Sequence, residues 1–323
     1  MTTIRSLFGR ELPNILLTVV MVPIIIFSAI TTGGLRSWVT LAFTGGEHMT
    51  REGLAAYTSG VEGLGTIHFL NTGSSDAILL ESDGHFALID SSVESLGDYV
   101  LDYVKRVAGG QLDFVMGTHN HSDHLGGFKT LIMSPDVTIG RAYLRYSEHG
   151  DSLYQTMEAV CRARGIPLLQ EDLEHSEFTL GHMKLKIFNG AMHSFVDENA
   201  GSMCLLVEIG DLRAFLAADL TWHYGREDCV AKEIGGKLDL LKTGHHGYNG
   251  SNGAPYLARL QPKTAVYTNL YENITSEVKT RMTLVSNTTQ MATSDFGGIA
   301  AVFGTDEIHY YAIGEQEQLD SPG

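Results

Sequence analysis

The chain has 323 residues, 43% apolar and 19% charged, with a formal net charge of −16 at pH 7. That apolar share supports a large core and excludes disorder as the main state, and with no triplet period, no sustained heptad and one long apolar run, collagen, coiled coil and multi-span membrane protein are excluded too. The acidic balance excludes coating of nucleic acid by charge alone, so duplex nucleic acid is not an expected partner.

The first feature in chain order is the apolar run from Ile15 to Ile30, broken by Thr18, Pro23 and Ser28 and free of charge. Counted from Leu12 it reaches the lower limit of a membrane span, about 17 residues. Arg5 and Arg10 precede it and the next basic residue is Arg36, which orients the N-terminus inward and the rest of the chain outward. No small-x-small cleavage site follows in TTGGLRSW, which favours an uncleaved anchor over a cleaved signal or a buried core helix. Residues 1–31 are therefore expected to engage the membrane. Residues 32–64, broken by Gly45, Gly46 and Gly60, read as a connector. The expected location is membrane-anchored with the remaining domain outside the cytoplasm, or secreted.

From Thr66 short strand-like runs alternate with helical spacing. Strands are predicted over 66–71, 77–82, 85–90 and 112–118, with a helix over 96–107 that puts Tyr99, Val100, Tyr103 and Val104 on one face. A short helix near 128–132, a strand over 142–146 and a helix over 152–163 follow. Strands at 185–188, 203–209 and 213–217 come next, then helix 227–234, strand 238–242, helix 256–260, strand 264–268 and helix 276–285. Two last strands lie near 299–303 and 308–311. Alternating strands and helices with frequent hairpins predict an α/β fold of mixed sheets covered by helices, one domain over 65–314, and a polar tail at 315–323. Cys161, Cys204 and Cys229 form no CxxC pair, and buried free thiols are expected.

The chemistry concentrates in Thr118-His-Asn-His-Ser-Asp-His-Leu-Gly-Gly127, directly after a buried strand. Imidazole nitrogens and a carboxylate oxygen suit zinc or a similar divalent ion. In an extended segment His119 and His121 project to one side and form a pair for one metal, while Asp123 and His124 reach a second. Asp219 ends the apolar run FLAAD and is a candidate bridge between two metals, with a helix N-cap as its ordinary alternative. The strand LLKTGHHG ends in His245 and His246, one of which completes the second site. His246 is favoured as the ligand, with His245 facing substrate.

This pattern resembles the metallo-β-lactamase superfamily, whose hallmark is HxHxDH. The resemblance covers about 66–311 and implies a four-layer αβ/βα sandwich with the metal site at one edge of two sheets. Leu70-Asn-Thr-Gly-Ser-Ser-Asp-Ala-Ile-Leu-Leu80 resembles the "DVGQGDAILI" opening of ComEC-type domains, related to teichoic-acid phosphorylcholine esterases. Ala87–Asp90, Glu198–Ser202 and Lys242–Gly247 resemble "LIDTG", "NNNS" and "KVGHHGS". The resemblance implies that Asp90 orients a metal loop by hydrogen bonds. It also makes His193 a candidate third imidazole of the first site, with Glu198, Asn199 or water as alternatives. The departures are the opening Asn71-Thr72-Gly73-Ser74-Ser75 and Tyr248, which stands where the pattern has Ser after HHG.

The expected function is a dinuclear hydrolase with two divalent ions, zinc first and manganese as the alternative. A water shared by ions about 3.5 to 4 Å apart is deprotonated near neutral pH and attacks the substrate. Asp123 and His245 are the candidate catalytic side chains. A phosphodiester or related ester is favoured, small or from the cell envelope. A lactone or β-lactam ring hydrolase is the enzymatic alternative. A membrane-tethered metal-binding protein without turnover is the alternative of another class.

Overall fold

The computed structural model describes residues 48–50, 54–58, 61–145, 152–170, 173–191 and 197–314. The predicted anchor (1–31), His193 and the polar tail lie outside the described residues. Among the described residues no helix is long and apolar enough to cross a membrane.

The strands, in chain order, are β1 Ala55–Ala56, β2 Gly65–Leu70, β3 Ile78–Ser82, β4 His85–Ile89, β5 Gln111–Leu112, β6 Phe114–Gly117, β7 Thr138–Ile139, β8 Ala142–Leu144 and β9 Leu168–Leu169. They continue as β10 Glu177–Leu180, β11 Met183–Phe188, β12 Cys204–Ile209, β13 Leu212–Leu216, β14 Leu240–Lys242, β15 Thr264–Tyr267, β16 Thr289–Ala292, β17 Gly298–Phe303 and β18 Ile308–Ala312. A nine-stranded sheet runs β1-β18-β17-β2-β3-β4-β6-β8-β9, and a seven-stranded sheet runs β10-β11-β12-β13-β14-β15-β16.

Side-chain alternation assembles the layers. Ile67 and Phe69 of β2, Ile78 and Leu80 of β3, and Ala87 and Ile89 of β4 join Leu205, Val207, Ala214 and Leu216 from the other sheet in one core between the sheets. The intervening positions Leu79, Leu88 and Val115 pack outward against Val100, Tyr103, Phe128 and Met157, which lie on helices Gly97–Ala108, Phe128–Met133 and Ser152–Arg164. Leu206, Phe215 and Leu241 do the same against Val230, Leu257 and Met282, from helices Arg226–Ile234, Ala254–Leu260 and Ser276–Ser286. The result is helix, sheet, sheet, helix. With apolar residues on both faces, central strands are buried along their whole length, as β2 and β17 are.

Parallel pairing decides where functional groups collect. β4, β6 and β8 run parallel in one sheet, and β13, β14, β15 and β16 run parallel in the other. The segments following β4, β6, β13, β14 and β15 therefore emerge at one edge of the sandwich, where open α/β sheets place their sites.

Three features differ from the sequence expectation. β7, β9, β10 and β16 are not predicted; all are short, and β16 carries a buried Gln290. Part of the expected connector belongs to the sheets: His48 bridges to Gln290 of β16, and Ala55–Ala56 pairs in parallel with β18. Cys161 and Cys204 are buried free thiols, as expected, whereas Cys229 is half-buried.

Candidate metal centre

The loop after β6 carries the HxHxDH residues and turns into the short helix Ser122–Leu125. Its return onto the sheet depends on glycine: a Cβ on Gly127 would sit 2.2 Å from the Ser91 carbonyl oxygen. Strained backbone gathers at the same edge, with positive φ at Asp90, Ser92, Ala218, His245 and His246. Such conformations persist only where surrounding contacts over-determine them, and they cluster at functional sites.

Two groups of potential metal donors converge there. The first joins His119, His121 and Asp219; the second joins Asp123, His124, Asp219 and His246. In the first, His119 Nε2 lies 3.1 Å from His121 Nδ1 and 3.8 Å from Asp219 Oδ2. In the second, Asp219 Oδ1 lies 3.2 Å from His124 Nε2 and 3.3 Å from His246 Nε2, and Asp123 Oδ2 lies 3.4 Å from His246 Nε2. Asp219 thus presents one oxygen to each group. His193 falls outside the described residues, so the first group has three members here.

Deeper residues orient these imidazoles. Asp90 Oδ2 accepts the His124 Nδ1–H at 2.7 Å and the Thr118 hydroxyl at 2.7 Å, while Oδ1 accepts the Thr118 amide at 2.9 Å. Thr118 Oγ1 in turn lies 3.1 Å from His119 Nδ1. One buried carboxylate therefore reaches an imidazole of each group. Asp76 and Thr268 do this for His246: its Nδ1 lies 3.0 Å from Thr268 Oγ1, whose hydroxyl donates to Asp76 Oδ1 at 2.5 Å. With Nδ1 engaged, each Nε2 faces the centre.

Sequence reasoning did not single out Asp76, Thr268 or Lys242 as site residues. Lys242 is fully buried, with Nζ 2.5 Å from Asp76 Oδ2, 2.8 Å from the Ala218 carbonyl oxygen and 3.8 Å from Asp219 Oδ1. Its detectable signal is a charged residue inside an apolar strand, which a chain buries only when it is paired.

The His245–His246 turn is built from behind. Asn252 accepts the Gly244 amide and donates to the Gly244 carbonyl, and Ser251 donates to that carbonyl too. His246 enters the second group. His245 is half-buried outside it, with Nε2 4.0 Å from Asp219 Oδ2 and 3.3 Å from Asn199 Nδ2.

Electrostatics match a cation site. Burial would raise the Asp219 carboxyl, but the imidazoles of His246 and His124 hold it well below its ordinary value. Burial likewise opposes the Asp76 shift, and Lys242 then His246 hold it low. His124 is pushed up to about 10, because Asp219 and Asp90 outweigh its burial. His246 stands well above its ordinary value, burial being overcome by Asp219 and Asp76. His119 is held well below by burial, reinforced by His124. Burial also lowers His245.

His124 Nε2, His246 Nε2 and Asp219 Oδ1 are buried at the centre, with the carboxylate oxygen 3.2 Å from the first nitrogen and 3.3 Å from the second. Buried imidazoles and a carboxylate that converge this closely, and hold protons when no ion is shared among them, form a donor set that a divalent ion can take over by displacing those protons, so the residues fit one.

A family model described as Metallo-beta-lactamase superfamily matches residues 70–268. ComE operon protein 3 of Bacillus subtilis (strain 168) is 28% identical over 177 residues, covering 53% of this chain and 22% of that protein. Competence protein ComA of Neisseria gonorrhoeae is 25% identical over 256 residues, covering 77% of this chain and 33% of that protein. The chain thus spans a third or less of the length of these curated relatives. Among solved structures, the metallo-beta-lactamase fold protein YhfI from Bacillus subtilis superposes with a TM-score of 0.51 at 12% identity, over 72% of this chain and 96% of that one. At that identity the likeness speaks to the fold alone.

Proposed function

The chain belongs to the metallo-beta-lactamase superfamily, and from that premise we propose that it hydrolyses phosphodiester or related ester bonds with two divalent ions. The observation that carries the dinuclear reading is Asp219, whose two oxygens face different donor groups. His119, His121 and Asp219 would hold one ion, with His193 as the proposed further ligand. Asp123, His124, Asp219 and His246 would hold the other. Zinc suits this imidazole and carboxylate set, with manganese as the alternative.

When bound, such ions supply hydroxide at neutral pH and draw charge from the substrate's oxygens. The chain's own residues prepare that chemistry. Asp90, Thr118, Asp76 and Thr268 hold three imidazoles with Nε2 inward. Asp123, less buried than the rest of its group, would accept a proton from an attacking water. His245 stands at the more open side, where it can donate to an oxygen that gains charge.

The phosphodiester preference rests on the resemblance to ComEC-type and phosphorylcholine-esterase domains and on the dinuclear arrangement, which suits in-line displacement at phosphorus. We further propose that the apolar run at 15–30 tethers the domain to a membrane, facing outward, where a small or cell-envelope substrate is met.

The test is to load the purified protein with zinc or manganese, count bound ions, and assay chromogenic phosphodiester, lactone and β-lactam substrates. About two equivalents with phosphodiester turnover supports the reading. Turnover of a lactone or β-lactam alone replaces the substrate class. Stoichiometric metal without turnover of any substrate points to a binding role.

A further inference from the structure

Two positions where the sequence departs from the pattern it resembles, Ser74 and Tyr248, are joined by a hydrogen bond beside the centre. Ser74 lies in the loop between β2 and β3 of the nine-stranded sheet, and Tyr248 follows β14 of the other sheet. The Ser74 hydroxyl donates to the Tyr248 phenol oxygen at 3.0 Å. Each side of this contact is fixed independently. The Asp76 amide donates to the Asp123 carbonyl at 3.1 Å, which seats the Ser74 loop on the HxHxDH loop. The Tyr248 amide donates to the His245 carbonyl at 2.7 Å, and the Ser251 hydroxyl donates to the Tyr248 carbonyl at 2.7 Å. The phenol ring stands edge-on to His245, with centroids 5.5 Å apart, and 6.4 Å from the His246 ring.

Two hydroxyls that share one hydrogen bond keep one proton unspent. Among the described residues no other side chain takes it. Tyr248 is also only half-buried, so its side chain is partly open to solvent and its proton is free to be donated to an incoming ligand.

We propose that Tyr248, braced by Ser74, is a ligand-binding residue of this centre, whose phenol donates a hydrogen bond to an anionic phosphoryl oxygen of the bound molecule. This rests on the phosphodiester reading for the choice of phosphoryl group. It makes the phenol a specificity element particular to this chain, since the resembled pattern carries a small Ser at that place. A hydroxyl donor to a charged oxygen contributes more than one to a neutral oxygen, which sets the size of effect expected.

The probe is inorganic phosphate, titrated calorimetrically into the full metal-loaded chain for wild type, Tyr248→Phe, Ser74→Ala and the double variant. Bound metal and melting temperature are recorded for each. Tyr248→Phe is expected to weaken phosphate about tenfold or more at unchanged metal content. Ser74→Ala is expected to weaken it a few-fold, and the double variant no further than Tyr248→Phe, because the serine acts through the phenol. Unchanged affinity in Tyr248→Phe, or no phosphate binding by wild type, overturns the proposal. Lower melting temperatures with unchanged affinity also overturn it, leaving the pair a latch between loops. If Tyr248→Phe does not fold, Ser74→Ala alone decides. Turnover of bis(p-nitrophenyl) phosphate in the same preparations separates the two ideas. Phosphate held through Tyr248 without turnover sinks the phosphodiester reading and not the proposal. Turnover with a phenol-independent phosphate affinity does the reverse.

Discussion

Asp90 and His124 meet through a 2.7 Å hydrogen bond between two side chains that are both sealed from solvent. The same carboxylate reaches His119 through Thr118. Asp90→Asn keeps the shape but removes the charge and puts an amide donor where an acceptor is needed. Metal affinity is expected to fall by about 10- to 100-fold, with loss at both donor groups rather than one. Metal titration of the purified variant checks this, and loss confined to one equivalent would show that the Thr118 relay does not matter.

His121 belongs to the first donor group alone, whereas Asp219 serves both. His121→Ala should therefore lower bound metal from about two equivalents toward one. Asp219→Ala should lower it toward none. Each should abolish metal-dependent turnover while circular dichroism shows a folded domain. Full activity in either variant would remove the assigned centre.

Lys242 and Asp76 form an ion pair with no exposure on either side. Removing the ammonium leaves the buried Asp76 carboxylate balanced only by the His246 and His124 imidazoles and the Thr268 hydroxyl, so Lys242→Met is expected to cost up to about 3–5 kcal/mol. Adding Asp76→Asn to Lys242→Met should recover part of that loss, since the orphaned charge goes with it. Urea unfolding of the metal-free single and double variants provides the comparison. An additive double variant would show that the pair is not coupled.

Glu227 gives a pH dependence whose sign is fixed. Its carboxylate accepts the amides of Asn252 and Gly253, behind the turn that carries His245 and His246. Burial nonetheless pushes it up to about 7 from 4.5, against the pull of those amides and of Arg281. The folded state then binds a proton that the unfolded state has released. The contribution is fully present below about pH 4.5 and is lost as pH rises through about 7. Glu227→Gln should flatten the stability profile in that window by about 1.4 kcal/mol per pH unit relative to wild type. Parallel slopes for the two proteins would show that Glu227 is ionised throughout.

The sequence made the layers legible because strands and helices carry their burial pattern locally. Tyr99, Val100, Tyr103 and Val104 are spaced for one helical face, and all four are buried. The HxHxDH residues, Asp219 and the His245–His246 pair sit at strand ends, so their gathering at one edge followed from parallel pairing. What stayed hidden depends on distant partners. Gln290 makes β16 look polar, yet it is buried because Tyr267 donates to its Oε1 at 2.8 Å and its Nε2 donates to Thr283. Asp76 looks like a turn residue until Lys242, Thr268 and His246 are folded onto it. No window along the chain contains those contacts.

Residues 48–50 and 54–57 have a mechanical consequence. They close both sheets on one side: Met49 donates to Gln290 of β16 at 2.9 Å, and Ala55 and Ala56 pair with Tyr311 and Ala312 of β18. These attachments are short, so tension applied through the N-terminus loads them before it reaches the interior strands. A modest pull should peel them away and leave the donor groups intact. It would also bare the outer edges of β16 and β18, which then offer unpaired backbone to a neighbouring chain. Loss of these attachments would thus favour self-association of the domain through its sheet edges.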